Sequence, residues 1–235
     1  MKNPIIVALD VDSPETAVKL AQELSPYASA FKIGSELFTR AGPEIVRRIR
    51  GLGAAVFLDL KFHDIPNTVA KAVAAATRLD VQMMTVHASG GSAMMKAAEE
   101  SAQREAMQMG RPAPLVLAVT VLTSFDSDEL SLVGVASDVG RQVERLAALA
   151  VGAGLRGLVC SPLEITDLRQ ILPREMHLVT PGIRSTGQDP TDDQKRIMSA
   201  KEALTAGASR LVIGRPIYGA PNPAAAAEAI LRSLE

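Results

Sequence analysis

Two rhythms alternate from one end of this chain to the other: short apolar runs with strand character, and longer Ala-rich runs with helical character. The short runs predict eight strands, at Ile5 to Leu9, Ala30 to Gly34, Ala55 to Leu60, Val81 to His87, Leu115 to Val121, Gly157 to Cys160, His177 to Thr180 and Arg210 to Gly214. The longer runs carry helix signals. Ser13 before Pro14 reads as an N-cap with proline at the first helical position, opening a helix to about Leu24. Pro43 to Arg50, followed by Gly51, ends in basic residues that complement the helix dipole. Asn67 to Arg78, Ala93 to Met109, Asp138 to Ala150 and Leu163 to Leu172 continue the pattern. Ser199 with Glu202 three residues later resembles a capping box, and Asn222-Pro223 opens a last Ala-rich helix. No linker, low-complexity tract or internal repeat interrupts the series, so the strands and helices predict βα units on a parallel sheet. Eight such units close a barrel; the expected fold is one α/β domain over residues 1–235, a (β/α)8 TIM barrel.

Composition narrows the partners. With 235 residues, 47% of them hydrophobic, the chain has ample material for one such core. A net charge of -1, a pI near 6.3 and the lack of any Lys/Arg stripe argue against duplex nucleic acid. No apolar run reaches the ~18 residues of a membrane span. The N-terminus passes from Lys2 almost at once into a strand, leaving no room for a signal peptide, so the expected compartment is the cytoplasm. The single cysteine, Cys160, fits a reducing compartment; without an obvious base partner it reads as a small buried residue rather than a nucleophile. His63, His87 and His177 fit no local zinc pattern, and Met83, Met84, Met94 and Met95 read as core filler.

The candidate chemistry starts at Asp59-Leu60-Lys61-Phe62-His63-Asp64. Asp59 and Lys61, two residues apart at a strand end, share one strand face. Such a pair either closes off a sheet or serves a site, because charges in a low dielectric are costly unless they neutralise one another. In a barrel, reactive groups sit at the C-terminal strand ends. There this chain puts Asp10 after strand one, Lys32 on strand two, Asp59 and Lys61 on strand three and Thr123-Ser124 after strand five. That gathering at one rim favours the functional reading.

The loops after strands seven and eight, about 181–194 and 214–217, are where many barrels hold a phosphate. Gly182 and Gly214 let backbone N–H groups approach an anion, and Arg184 and Arg215 can each fork two hydrogen bonds onto it. The polar run from Ser185 to Asp193 reads as a mobile lid. Gln194 after it has two readings, an amide that reaches a phosphate or the last residue of a Thr191-x-x-Gln194 capping box.

Asp59-x-Lys61-x-x-Asp64 followed by Ile65-Pro66-Asn67-Thr68, with Ala8-Leu9-Asp10, Phe31-Lys32-Ile33-Gly34, Thr180-Pro181-Gly182-Ile183-Arg184 and Ile213-Gly214-Arg215-Pro216-Ile217, resembles the orotidine 5′-phosphate decarboxylases from residue 5 to about 220. The resemblance implies a homodimer that converts orotidine 5′-monophosphate to UMP and CO2, in pyrimidine biosynthesis, without metal or organic cofactor. It implies that Lys32, Asp59 and Lys61 come from one subunit, with Asp64 and Thr68 from its partner. Asp10 and Lys32 would contact the ribose, Thr123 would lie near the pyrimidine, and Arg184, Gln194, Gly214 and Arg215 would hold the phosphate.

The residue types suit that reaction. Loss of CO2 from C6 leaves carbanion character at a carbon with no adjacent electron sink. A lysine ammonium at position 61 can stabilise that charge and then act as general acid, and flanking carboxylates favour its charged form. Two alternatives stand beside this reading. One is a Mg²⁺-dependent phosphosugar decarboxylase or aldolase barrel, in which an acid is expected where this chain has Lys32; the other is a non-catalytic nucleotide-phosphate-binding barrel.

Overall fold

The computed structural model describes residues 3–136, 138–184 and 196–234. The strands β1 (Ile5–Ala8), β2 (Ala30–Gly34), β3 (Val56–Phe62), β4 (Met83–His87), β5 (Leu115–Val119), β6 (Gly157–Val159), β7 (His177–Thr180) and β8 (Arg210–Ile213) lie parallel in sequence order. β8 pairs back onto β1, with Ile6 beside Val212, so the sheet closes into a TIM barrel. All eight expected strands form, with ends that move by at most two residues.

The helices are α1 (Pro14–Leu24), α2 (Ser35–Ala41), α3 (Pro43–Gly51), α4 (Pro66–Thr77), α5 (Gly91–Gln108), α6 (Ser127–Leu132), α7 (Val139–Gly152), α8 (Ile165–Ile171), α9 (Ala200–Ala206), α10 (Arg215–Tyr218) and α11 (Pro223–Arg232). Their starts follow the expected local chemistry. Ser13 Oγ accepts from Thr16 N–H at the head of α1, Ser199 and Glu202 form the reciprocal capping box of α9, and Asn222 Oδ1 accepts from Ala225 N–H at α11. The unexpected helices α2, α6 and α10 span only 7, 6 and 4 residues. α2 and α10 begin at Gly34 and Gly214 with no side-chain cap, and α10 has only Pro216 in its first turn to mark its start.

Strand alternation sorts side chains between two layers. Ile5, Val7, Phe31, Ile33, Val56 and Leu58 point outward and pack under the helices. Ile6, Ala8, Ala30, Phe57, Met83, Leu117, Val179 and Val212 fill the barrel interior. Phe57, only 1% exposed, plugs the interior directly below Asp59 on the same strand face; truncating such a ring to alanine costs about 3–5 kcal/mol. Continued toward the C-terminal ends, the inward face becomes polar, with Asp10 after β1, Lys32 on β2, Asp59 on β3 and Thr85 on β4. Met83, Met84, Met94 and Met95 are buried, as expected of core filler, and so is Cys160, whose thiol is pushed up to about 12 by burial and then by the nearby Glu164 carboxylate. Among the described residues, no helix is long and apolar enough to cross a membrane.

Candidate active site

Four charges of alternating sign meet at the mouth of the barrel. Lys32 Nζ stands 2.7 Å from Asp10 Oδ1 and 3.9 Å from Asp59 Oδ2, and Lys61 Nζ lies 2.9 Å from both Asp59 oxygens. Parallel pairing explains the convergence, because Ala8 sits beside Lys32 and Gly34 beside Asp59 in neighbouring strands. Gly34 leaves room for the pair: a Cβ there would lie 3.1 Å from Lys32 Nζ and 3.3 Å from Asp10 Oδ1, close enough that one of them would have to shift. Burial by itself would raise the Asp59 carboxyl, but the fields of Lys32 and Lys61 and hydrogen bonds from Lys61 and Thr85 together hold it below the usual carboxylate range.

Asp59 and Lys61 do meet, but not by strand alternation alone. The β3–β4 register shifts between Leu58 and Phe62, and Lys61 has a left-handed φ of 51°. Thr85, fully buried on β4, stabilises this kink. Its hydroxyl oxygen accepts from Lys61 N–H at 2.8 Å and its hydroxyl donates to Asp59 Oδ1 at 2.9 Å, so one side chain orients both charged partners. β3 ends at Phe62, so alternation does not extend to His63. That side chain is exposed within the single chain, with its ring 5.5 Å from that of His87. Burial lowers the His87 pKa, and His63 and Lys61 lower it further.

The cluster forms one side of a cleft of about 240 Å³ whose lining includes Asp10, Lys32, Asp59, Lys61, Thr123, Arg184, Gly214 and Arg215. Eight of the expected site positions therefore converge on one space. Arg184 is held in place by a short bridge: its N–H donates to Met198 O at 3.0 Å, and Met198 N–H donates to Gly182 O at 3.2 Å. Asp64 and Thr68 lie elsewhere; both are exposed, and Asp64 Oδ1 accepts from Ile65 N–H at 2.6 Å. Among the described residues no ion pair joins Asp64 to Lys61, so adjacency in sequence does not bring the two together within one chain. Gln194 and the run from Ser185 to Asp193 lie outside the described residues.

The family model described as Orotidine 5′-phosphate decarboxylase / HUMPS family matches residues 3–230. The chain belongs to this family. It is 53% identical over its full length to "Orotidine 5′-phosphate decarboxylase" of Moorella thermoacetica, covering 93% of that protein. It is 52% identical over 99% of its length to the protein of the same name from Dichelobacter nodosus, covering 99% of it. Its fold superposes on the crystal structure of orotidine 5′-phosphate decarboxylase from Lactobacillus acidophilus with a TM-score of 0.88 at 38% identity, each chain covered in full.

Within this member of the Orotidine 5′-phosphate decarboxylase / HUMPS family, two residues at the site escape a reading from sequence: Thr85, buried beneath the charged cluster, and Tyr218. Thr85 left one trace, as an inward-facing polar residue in the apolar run Met83-Met84-Thr85-Val86. Tyr218, one of two tyrosines in the chain, lines the cleft; burial raises its phenol, and the neighbouring Asp10 raises it further. Its only signal was the scarcity of aromatic residues.

Proposed function

We propose that this cleft decarboxylates orotidine 5′-monophosphate to UMP and CO2 in pyrimidine nucleotide synthesis, without metal or organic cofactor. The observation that carries the reading is the Asp10–Lys32–Asp59–Lys61 charge chain on one side of a cleft that also presents Arg184 and Arg215. The names of the two relatives support the same chemistry. Arg184, Gly214 and Arg215 hold the phosphate, together with Gln194; Asp10 and Lys32 hold the ribose; Thr123 faces the pyrimidine. Loops 181–194 and 214–217 thus serve as the phosphate end. An ammonium on β2 repels a divalent cation, which supports the metal-free reading over a Mg²⁺-dependent barrel.

The anchored ring places C6 and its carboxylate against Asp59 and Lys61. As the C–C bond breaks, negative charge develops at C6 and the Lys61 ammonium stabilises it, fixed in advance by Asp59 and Thr85. Lys61 then transfers a proton to C6 as CO2 leaves. Phosphate contacts far from the bond being broken supply binding energy that orders this charged end. The exposed positions of Asp64 and Thr68 support their donation to the partner subunit of a homodimer, where Asp64 completes the alternating set around Lys61.

Direct measurement of CO2 released from orotidine 5′-monophosphate by the EDTA-treated chain tests the proposal. Turnover is expected, with kcat lowered by several orders of magnitude in Lys61→Ala while UMP still binds. No CO2 from the wild-type chain, or turnover that returns only with Mg²⁺, would overturn it.

A further inference from the structure

Arg196 sends its side chain away from the phosphate end. Its backbone lies two residues before Met198, whose bridge to Gly182 and Arg184 anchors the lip that carries Arg184. Its guanidinium spans the barrel rim instead: Nη2 donates to Leu122 O at 3.0 Å and more weakly to Val121 O at 3.5 Å, and Nη1 pairs with Glu164 Oε1. The other oxygen of Glu164 accepts from Ser161 N–H at 2.8 Å, at the turn that follows β6 and Cys160. Val121, Leu122 and Cys160 all line the cleft. The Arg196 and Glu164 side chains are only 14% and 9% exposed. The buried ion pair, with the hydrogen bonds from the same guanidinium to Val121 O and Leu122 O, therefore joins the ends of β6 and β5 to the connection that carries Arg184.

Burying such a pair adds little net stability, since desolvation offsets most of the attraction. What the fork provides is a fixed relation between two sides of the cleft: the lip next to Thr123, and the lip next to Arg184. We infer that Arg196, held by Glu164, is a positioning residue that links the grip on the substrate phosphate to the geometry of the pyrimidine side, so that phosphate contacts lower the barrier as well as aid binding. The inference rests on the decarboxylase reading above. A rigid connection of this kind lets binding energy from a remote group orient the reacting centre.

The test compares orotidine 5′-monophosphate with orotidine, which lacks the phosphate. Arg196→Ala should lower kcat on the monophosphate roughly 10–100-fold, the range for charge-assisted hydrogen bonds, while UMP affinity and kcat/KM on orotidine change less than threefold. Free guanidinium ion should restore part of the missing turnover. Equal losses on both substrates would mean that the pair only supports the fold, and a loss confined to UMP affinity would make Arg196 a direct phosphate ligand; either result overturns the inference. Should Arg196→Ala fail to fold, Glu164→Gln, which keeps the acceptor and removes the charge, should give the same substrate split on a smaller scale, and its absence counts against the linkage. A wild-type chain inert toward the monophosphate overturns the decarboxylase reading and this inference with it, whereas an active wild type with equal losses overturns the inference alone.

Discussion

Replacing Thr85 by valine removes one hydroxyl from beneath the charged cluster while keeping the branched shape. That hydroxyl makes two bonds, accepting from Lys61 N–H at 2.8 Å and donating to Asp59 Oδ1 at 2.9 Å. A hydrogen bond to an ionised group contributes about 1.5–3 kcal/mol, and leaving a buried amide unpaired costs about 1–3 kcal/mol. The two bonds share one atom and do not add in full, so the expected loss of stability is about 3–4 kcal/mol. For a chain of this size each kcal/mol moves Tm by about 2–4 °C, which puts the fall on the order of 10 °C. The catalytic effect follows from the backbone. Lys61 holds φ at 51° while its N–H is bonded to Thr85; without that bond the residue relaxes toward ordinary strand geometry and carries Nζ away from Asp59. The expected loss in kcat is roughly 100-fold, the usual effect of misplacing a reacting group by about 1 Å, with UMP affinity nearly unchanged because Arg184 and Arg215 stay in place. Thermal denaturation, turnover and UMP titration on Thr85→Val and Thr85→Ser check this, the serine variant retaining both bonds and most of the activity. A valine variant with wild-type Tm and kcat, or a serine variant as damaged as the valine, would refute the assignment.

Arg215→Ala should weaken UMP binding by roughly 2–4 kcal/mol, as expected when a bound anion is deprived of a charge-assisted hydrogen bond; unchanged affinity by calorimetry would place the phosphate elsewhere. Inactive Asp59→Asn and Asp64→Asn chains, mixed and reassembled, should recover activity in heterodimers, because one site then receives both native carboxylates; no recovery would mean that both residues serve one chain. Stability should depend on pH through Asp59. Its folded-state pKa is held below the ordinary value of 3.8, so its stabilising contribution is complete above that value and is lost as pH falls through the lower folded-state value. The Tm advantage of wild type over Asp59→Asn should therefore be constant from about pH 5 to 8 and shrink below about 4; an advantage that persists unchanged in acid would remove the ionised carboxylate as its source.

Strand count, barrel closure and most helix starts were legible in the sequence because each rests on near neighbours. Ser13 caps its helix through the amide of Thr16 within the first turn, and Asp59 follows Phe57 on the same face by the period of two. The alternating charges were legible for the same reason, since Asp10, Lys32, Asp59 and Lys61 all occur at or near strand ends that a barrel brings to one rim. Arg184 and Arg215 were legible from their places after strands seven and eight. The short helices α2 and α10 were not, because at 7 and 4 residues they complete too few turns for a helical period to show.

What the sequence by itself determined is the barrel, its polar rim and the chemical character of the residues there. Only the tertiary structure decided how those residues are oriented. Thr85 reaches Asp59 across 26 positions, and Arg196 reaches Leu122 across 74. At the kink, the Lys61 N–H donates to the Thr85 hydroxyl, where a regular parallel ladder would have it donate to a backbone carbonyl. Among the described residues Lys61 pairs with Asp59 and not with Asp64, despite the closeness of Lys61 and Asp64 in sequence. Periodicity and capping act within one or two turns of chain, whereas the direction of a buried charge is set by hydrogen-bond partners that come together only when the sheet closes.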